Sequence, residues 1–311
     1  MTSPKMAAMI DFRPFSACDK ALYEGFLFDG RERGCEFSFA NVYCWGKQQF
    51  APMHGQLLFF SQFDRRCVYP YPLGEGDKRA AIDALIADAA SRGISFRLTG
   101  IRPEDREELE RLYPEKFLFH CDEGSFDYVY AIDDLADLPG KKYHPKRTHL
   151  NRFLEACPDY RVEVLCEENL ADARQMVDEW YEERMKQSEG DDYYMERTAI
   201  HRALRHVSEL GMEGLLLRHN GRVVAMTMGS RLSRDTIDVH FEKARADVPG
   251  AYAAINCEFA RHIRAKYPEI RFLDREEDMG LEGLRRAKRS YHPHHMVQKC
   301  WATLGEEEYE D

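Results

Sequence analysis

The segment EGLLLRHNGRVVAMTMGSRL, residues 213 to 232, limits the possible folds of this 311-residue chain more than any other. An apolar run leads to Asn220-Gly221 and a second apolar run follows, the pattern of a β-hairpin whose two-residue turn needs positive φ at both central positions. TIDVHFEKA continues it as a third antiparallel strand. The period then changes. GAYAAINCEFARHIRAKYP carries Ile255, Phe259 and Ile263 at spacings of four and reads as a helix, IRFLD as a strand, GLEGLRRAKRSY as a helix and HMVQKCWATL as a closing strand. Two helices precede the hairpin: LADARQMVDEWYEERMK, with Ala173, Met176, Val177, Trp180 and Arg184 on one stripe, and RTAIHRALRHVSELG.

The first half reads in the same order. FANVYCW, GQLLFFS and RCVYPY are apolar and β-rich; DKRAAIDALIADAASRG is a helix with Ile82, Leu85, Ile86 and Ala89 on one face and Gly93 closing it. SFRLTGI alternates as a strand, RPEDREELERLYP is a short helix with proline near its start, and KFLFHCD is a strand. The expected fold class is therefore α+β, as two tandem domains that each hold a mixed, mostly antiparallel sheet flanked by helices. The boundaries fall at 1–135, a basic connecting segment 136–160 and 161–311, close to the usual domain size of about 150 residues. A helix starting near Pro145 and running through Phe153 buttresses one half against the other.

Composition removes several classes of function. A net charge of −11 opposes general nucleic-acid binding, which rests on neutralising phosphates. Nine cysteines stand singly, with no C-x-x-C pair, so neither a disulfide framework nor a cysteine zinc site is expected. The apolar runs fall far below the roughly 18 residues that cross a bilayer, and no signal peptide opens the sequence, so the expected location is cytoplasmic. Against this acidic background GKKYHPKRTHLNRF, residues 140 to 153, has five lysines and arginines and no acid.

Three antiparallel strands, a helix after a loop, a further strand and another helix resemble the second half of an acyl-CoA N-acyltransferase domain of the GNAT type. ARADVPGAYAAIN carries the likeness further. That family's pyrophosphate loop has Arg or Gln, two residues, Gly, one residue, then Gly or Ala; this sequence matches at Arg245 and Gly250 and departs at Val248. Such a loop works by converging backbone N–H groups and a helix N-terminus on phosphate oxygens, and Pro249 removes one donor. Ala251 then opens the helix. Five blocks, CEFSFANVYCW, DYVYAIDDLADLPGKKYHPKRTHLNRF, FEKA, GAYAAIN and DREEDMGLEGLRRAKRSYHP, carry a second likeness. Through them, over nearly its full length, the chain resembles a family of uncharacterised bacterial proteins that share the C-terminal domain of phosphatidylglycerol lysyltransferases. The resemblance implies tandem GNAT-like domains related to enzymes that move an aminoacyl group from a charged tRNA to a lipid or peptide amine or hydroxyl.

Acyl transfer needs a base for the acceptor, fixed donors for an oxyanion and a proton for the leaving group. Glu242 is the candidate base, with a solvent-facing carboxylate paired to Lys243 as the plain alternative. His240, two residues away and so on the same strand face, is the second candidate. Tyr291 stands where many GNAT enzymes keep the tyrosine that protonates the leaving group. Arg285 and Lys288, and Arg286 with Arg289, form basic pairs one helical turn apart; with Lys146 and Arg147 they make an expected groove for a phosphate-bearing donor. The donor expected is aminoacyl-tRNA or acyl-CoA, with no tightly bound cofactor, and peripheral contact with anionic lipid is a further expectation. His292, His294 and His295 lack the spacing of a metal site, so no metal is expected. The competing reading is a non-catalytic anion-binding module with a degenerate loop.

Overall fold

Ser38 decides the first element that the sequence pattern misjudges. Its side chain accepts from the Asn41 backbone N–H and caps a helix, Phe39–Trp45, over a segment rich in β-formers; Gly46 closes it in a left-handed conformation. The computed structural model in which this is seen describes residues 9–28, 30–63, 66–185 and 191–305. In chain order the first half holds β1 (Arg13–Pro14), α1 (Lys20–Leu27), α2 (Phe39–Trp45), β2 (Gln48–Met53), β3 (Gln56–Phe63), β4 (Arg66–Pro70), α3 (Lys78–Arg92), β5 (Arg97–Ile101), α4 (Pro103–Leu112) and β6 (Phe117–Cys121). Then come β7 (Asp127–Ala131), α5 (Ile132–Asp137), α6 (His144–Ala156), β8 (Arg161–Val164), α7 (Leu170–Met185), α8 (Asp191–Ala203) and α9 (Val207–Leu210). The chain ends with β9 (Glu213–His219), β10 (Arg222–Arg231), β11 (Thr236–Ala244), α10 (Ala251–Lys266), β12 (Phe272–Asp274), α11 (Glu282–Arg289), β13 (His295–Val297) and β14 (Cys300–Leu304).

Two seven-stranded sheets result, in the orders β1-β2-β3-β4-β5-β14-β6 and β13-β7-β12-β11-β10-β9-β8. Each is antiparallel apart from one parallel pair, β4 with β5 and β11 with β12. The expected α+β class with two mixed, mostly antiparallel sheets holds. The sheets nevertheless exchange strands. β7, read from sequence as part of 1–135, lies between β13 and β12 of the second sheet, while β14, read as part of 161–311, lies between β5 and β6 of the first. HMVQKCWATL is thus two strands in different sheets, and RTAIHRALRHVSELG is interrupted between α8 and α9. The exchange also corrects the cysteine reading: Cys300 sits opposite Cys121 on β6 with 4.3 Å between Cα atoms, and the two are joined as a disulfide.

Packing ties the halves together. Leu216, Met226, Met228 and Phe241 from one face of the second sheet join the core of the first half through Met176 and Tyr181 of α7 and Ile200 of α8. The opposite face, with Leu215, Leu217 and Val239, packs on α5, α6 and α10. The hairpin has the expected turn, with Asn220 at φ 50° and Gly221 at φ 76°. In β11, Phe241 pairs with Met228 and Val239 with Gly229, which leaves His240 as an extra residue, a β-bulge.

Candidate functional site

The parallel ladder between β11 and β12 runs from Thr236 opposite Phe272 to Asp238 opposite Asp274, and β11 continues to Ala244 beyond it. Side chains fill the wedge where the strands part. Glu242 takes a hydrogen bond from Arg275 Nη2 at 2.8 Å and one from Asn256 Nδ2 of α10 at 3.3 Å. The Arg275 guanidinium lies 4.9 Å from the centre of the Tyr291 ring, and Lys146 Nζ of α6 lies 3.7 Å from the same ring centre. Burial lowers the Lys146 pKa to about 8, with Arg275 adding to the effect and Glu242 opposing it. Burial raises the Tyr291 hydroxyl to about 12 against the pull of Arg275. Three buried polar atoms here have no partner among the described residues: Arg275 Nη1, Asn256 Oδ1 and Oγ1 of Thr227, which stands opposite Glu242 in the β10–β11 ladder.

Glu242, Tyr291 and Lys146 therefore meet, and so do the two basic segments: the Tyr143 hydroxyl donates to the Tyr291 carbonyl at 2.9 Å, and His292 Nε2 lies 3.2 Å from the Lys142 carbonyl. His240 does not join them. The bulge shifts the phase of β11, so Glu242 faces α10 while His240 faces Ser230, Asp238 and Glu276. Burial would lower the His240 pKa, but Asp238 and Glu276 outweigh it and raise it to about 9.

The remaining expected phosphate ligands, Arg286 apart, are engaged within the fold. Arg245 donates from Nε to the Val223 carbonyl at 2.7 Å and pairs with Glu179. Gly250, at φ 74°, lies so close to α6 that a Cβ there would stand 2.0 Å from the His149 carbonyl oxygen; close helix packing explains the glycine without any anion. Ala251 is buried at the start of α10. Arg147 donates to the Leu138 and Gly140 carbonyls and holds that turn. Lys288 is buried, its ammonium donating to the carbonyls of Arg275, Glu276 and Glu277, and Arg285 makes a two-toothed pair with Asp278 at 2.8 and 3.1 Å. Arg286 is exposed. His294 and His295 contact each other and His295 reaches Glu32. Sequence reading passed over Arg275 and Asn256; the available signal was an arginine inside the acidic run DREED at a strand end.

The family model for the C-terminal domain of phosphatidylglycerol lysyltransferase matches residues 29–303. The chain belongs to this family. A conserved protein of unknown function from Bacteroides thetaiotaomicron is 36% identical, with a TM-score of 0.89 over 95% of this chain and 100% of that one. L-PGS from Bacillus licheniformis aligns with a TM-score of 0.67 at 17% identity over 93% of each chain. A tandem GNAT protein from the clavulanic acid biosynthesis pathway aligns with a TM-score of 0.50 at 8% identity over 96% of this chain and 99% of that one. These likenesses make the fold a tandem GNAT fold. An uncharacterised protein of Mycoplasmoides gallisepticum is 21% identical over 179 residues, and the match spans about half of its length, 56%. Among the described residues no helix is long and apolar enough to cross a membrane.

Proposed function

We propose that this protein is an acyl- or aminoacyl-transferase whose site is the wedge between β11 and β12. The observation that carries the reading is Lys146 held against the ring of Tyr291 beside the Glu242–Arg275 pair, a proton acceptor and a proton donor within one small space. With a pKa near 8, Lys146 is partly neutral at physiological pH and suits removal of the proton from an acceptor amine or hydroxyl as it attacks the donor carbonyl. The unpartnered Arg275 Nη1 then faces the developing oxyanion, and Glu242 is a positioning residue that fixes the guanidinium. As the ester or thioester bond to the donor breaks, Tyr291 gives its proton to the departing oxygen or sulfur.

Aminoacyl-tRNA is favoured over acyl-CoA as the donor. Arg245 and Gly250, the two positions that match a pyrophosphate loop, are committed to Glu179 and to the packing of α6. The test is consumption of labelled aminoacyl-tRNA and of acetyl-CoA by the purified protein in the presence of amine and phosphatidylglycerol acceptors. Aminoacyl-tRNA should be consumed, with kcat/KM rising through an apparent pKa near 8 that disappears in Lys146→Met. Tyr291→Phe should lower kcat by about 10²-fold or more. Saturable tRNA binding without turnover of any donor would instead make the protein the anion-binding module.

A further inference from the structure

The transfer reaction leaves a second polar centre unused, on the opposite face of the second sheet. Asp238 and His240 of β11, Glu276 just beyond β12 and Asn41 of α2 converge there, drawn from both halves of the chain. The Asp238 and His240 side chains are 0% and 1% exposed. His240 Nδ1 lies 3.2 Å from Asp238 Oδ2 and 3.4 Å from Glu276 Oε1, while the Asn41 amide lies 2.9 Å from Glu276 Oε1 and 3.4 Å from Asp238 Oδ2. We propose that Asp238, His240 and Glu276 form a binding site for a divalent transition-metal ion such as Zn²⁺ or Mn²⁺, with one imidazole nitrogen and two carboxylates as ligands and the Asn41 amide holding the carboxylates in place.

The spacing fits. Ligands about 2.1 Å from an ion are separated by about 3.0 Å along an octahedral edge and about 3.4 Å along a tetrahedral one, and His240 Nδ1 lies 3.2 and 3.4 Å from the two carboxylate oxygens. Among the described residues the buried Asp238 Oδ1 has no hydrogen-bond partner. The Asn41 amide nitrogen also donates to the Cys35 carbonyl at 2.9 Å, which fixes its orientation beside the two carboxylates. His240 Nε2 is engaged by Ser230 Oγ at 2.8 Å, which orients the ring and leaves Nδ1 for the ion.

A neighbouring group supplies the contrast. Cys35, Asp127 and Glu277 also converge closely enough to hold a cation, and there the fold supplies its own: Lys299 Nζ lies 2.8 Å from Asp127 and 3.1 Å from Glu277, with Glu36 at 3.0 Å. Among the described residues the ion pairs of Asp238 and Glu276 are with His240 alone. Asp274, fully buried one residue from Arg275, keeps an Oδ2 with no partner among the described residues. An ion here takes the place of the imidazole proton between Asp238 and Glu276, ties β11 to the segment that carries Arg275, and so positions the guanidinium from behind.

The experiment uses the full chain after treatment with a chelator and dialysis, titrated with ZnCl₂ and MnCl₂ by calorimetry and followed by thermal melting. One equivalent should bind and raise the melting midpoint. His240→Gln and Glu276→Gln should each weaken that binding by more than about tenfold. His294→Gln should change neither. Failure of the wild type to bind one equivalent of either ion overturns the proposal, as does binding that survives His240→Gln and is lost in His294→Gln, since the metal would then belong to the surface histidines.

Discussion

Replacing Gly250 with alanine separates two explanations of a loop that looks built for phosphate. In the fold Gly250 has φ 74° and an added Cβ would stand 2.0 Å from the His149 carbonyl oxygen, 2.9 Å from its carbon and 3.2 Å from Phe153 Cβ. The left-handed conformation costs an alanine about 1–2 kcal/mol. Relieving the contact means moving α6 outward by about 1 Å, an overpacking cost of about 1–3 kcal/mol. The sum, about 2–5 kcal/mol, corresponds to a melting midpoint lower by about 3–8 °C at this chain length. The displacement has a direction as well as a size: Lys146 lies one turn before His149, so α6 carries its ammonium away from the Tyr291 ring, now 3.7 Å away, towards water. Its pKa should then return towards the ordinary lysine value, and the rising limb of any donor-consumption profile should move to higher pH. Circular dichroism melts and a pH series of the variant test both. A variant that melts within about 1 °C of the wild type refutes the packing argument, and loss of donor affinity at unchanged stability would restore Gly250 to the role of an anion ligand.

Two further outcomes follow from other parts of the fold. Lys299→Met removes the ammonium, 6% exposed, that Asp127, Glu36 and Glu277 share; stranding a fully buried Asp127 should cost about 3–5 kcal/mol in urea denaturation, and a loss below about 1 kcal/mol would show that these acids do not need the cation. Glu213 resists the upward push of burial because His262, Lys266 and Tyr267 hydrogen-bond to it, and its pKa falls to about 2. A carboxylate whose pKa is lower in the folded state stabilises above its unfolded value, near 4.5, and that stability disappears as the pH falls from there towards 2. The stability gap between wild type and Glu213→Gln should therefore be constant from pH 7 to about 5 and shrink below it; a gap independent of pH down to 2.5 would contradict the assignment.

Much of the local structure was legible because it is set by a few consecutive residues. Asn220-Gly221 can take the two positive φ values of a tight hairpin turn, the limits of β11 coincide with TIDVHFEKA, and Asp77 and Gly93 bracket α3 as cap and stop. Three of the site residues chosen from pattern, Glu242, Tyr291 and Lys146, come together in the wedge. Family likeness and strand order located them, since each is unremarkable in its own segment.

Tertiary structure decided the rest, for reasons that no short window contains. FANVYCW has the composition of a strand, but Ser38 and Gly46 cap it as a helix that packs on α8. A single extra residue, His240, turns Glu242 to the other face of the sheet, and only the register with Met228 and Gly229 reveals it. Cys121 finds Cys300 across 179 residues because the last strand returns to the first sheet. The sequence by itself determined which segments become helices, turns and strands wherever backbone preference and apolar period agree. Which sheet a strand enters, which face a side chain takes and which charges must share the interior were decided by long-range pairing and burial, whose energies depend on partners more than a hundred residues away.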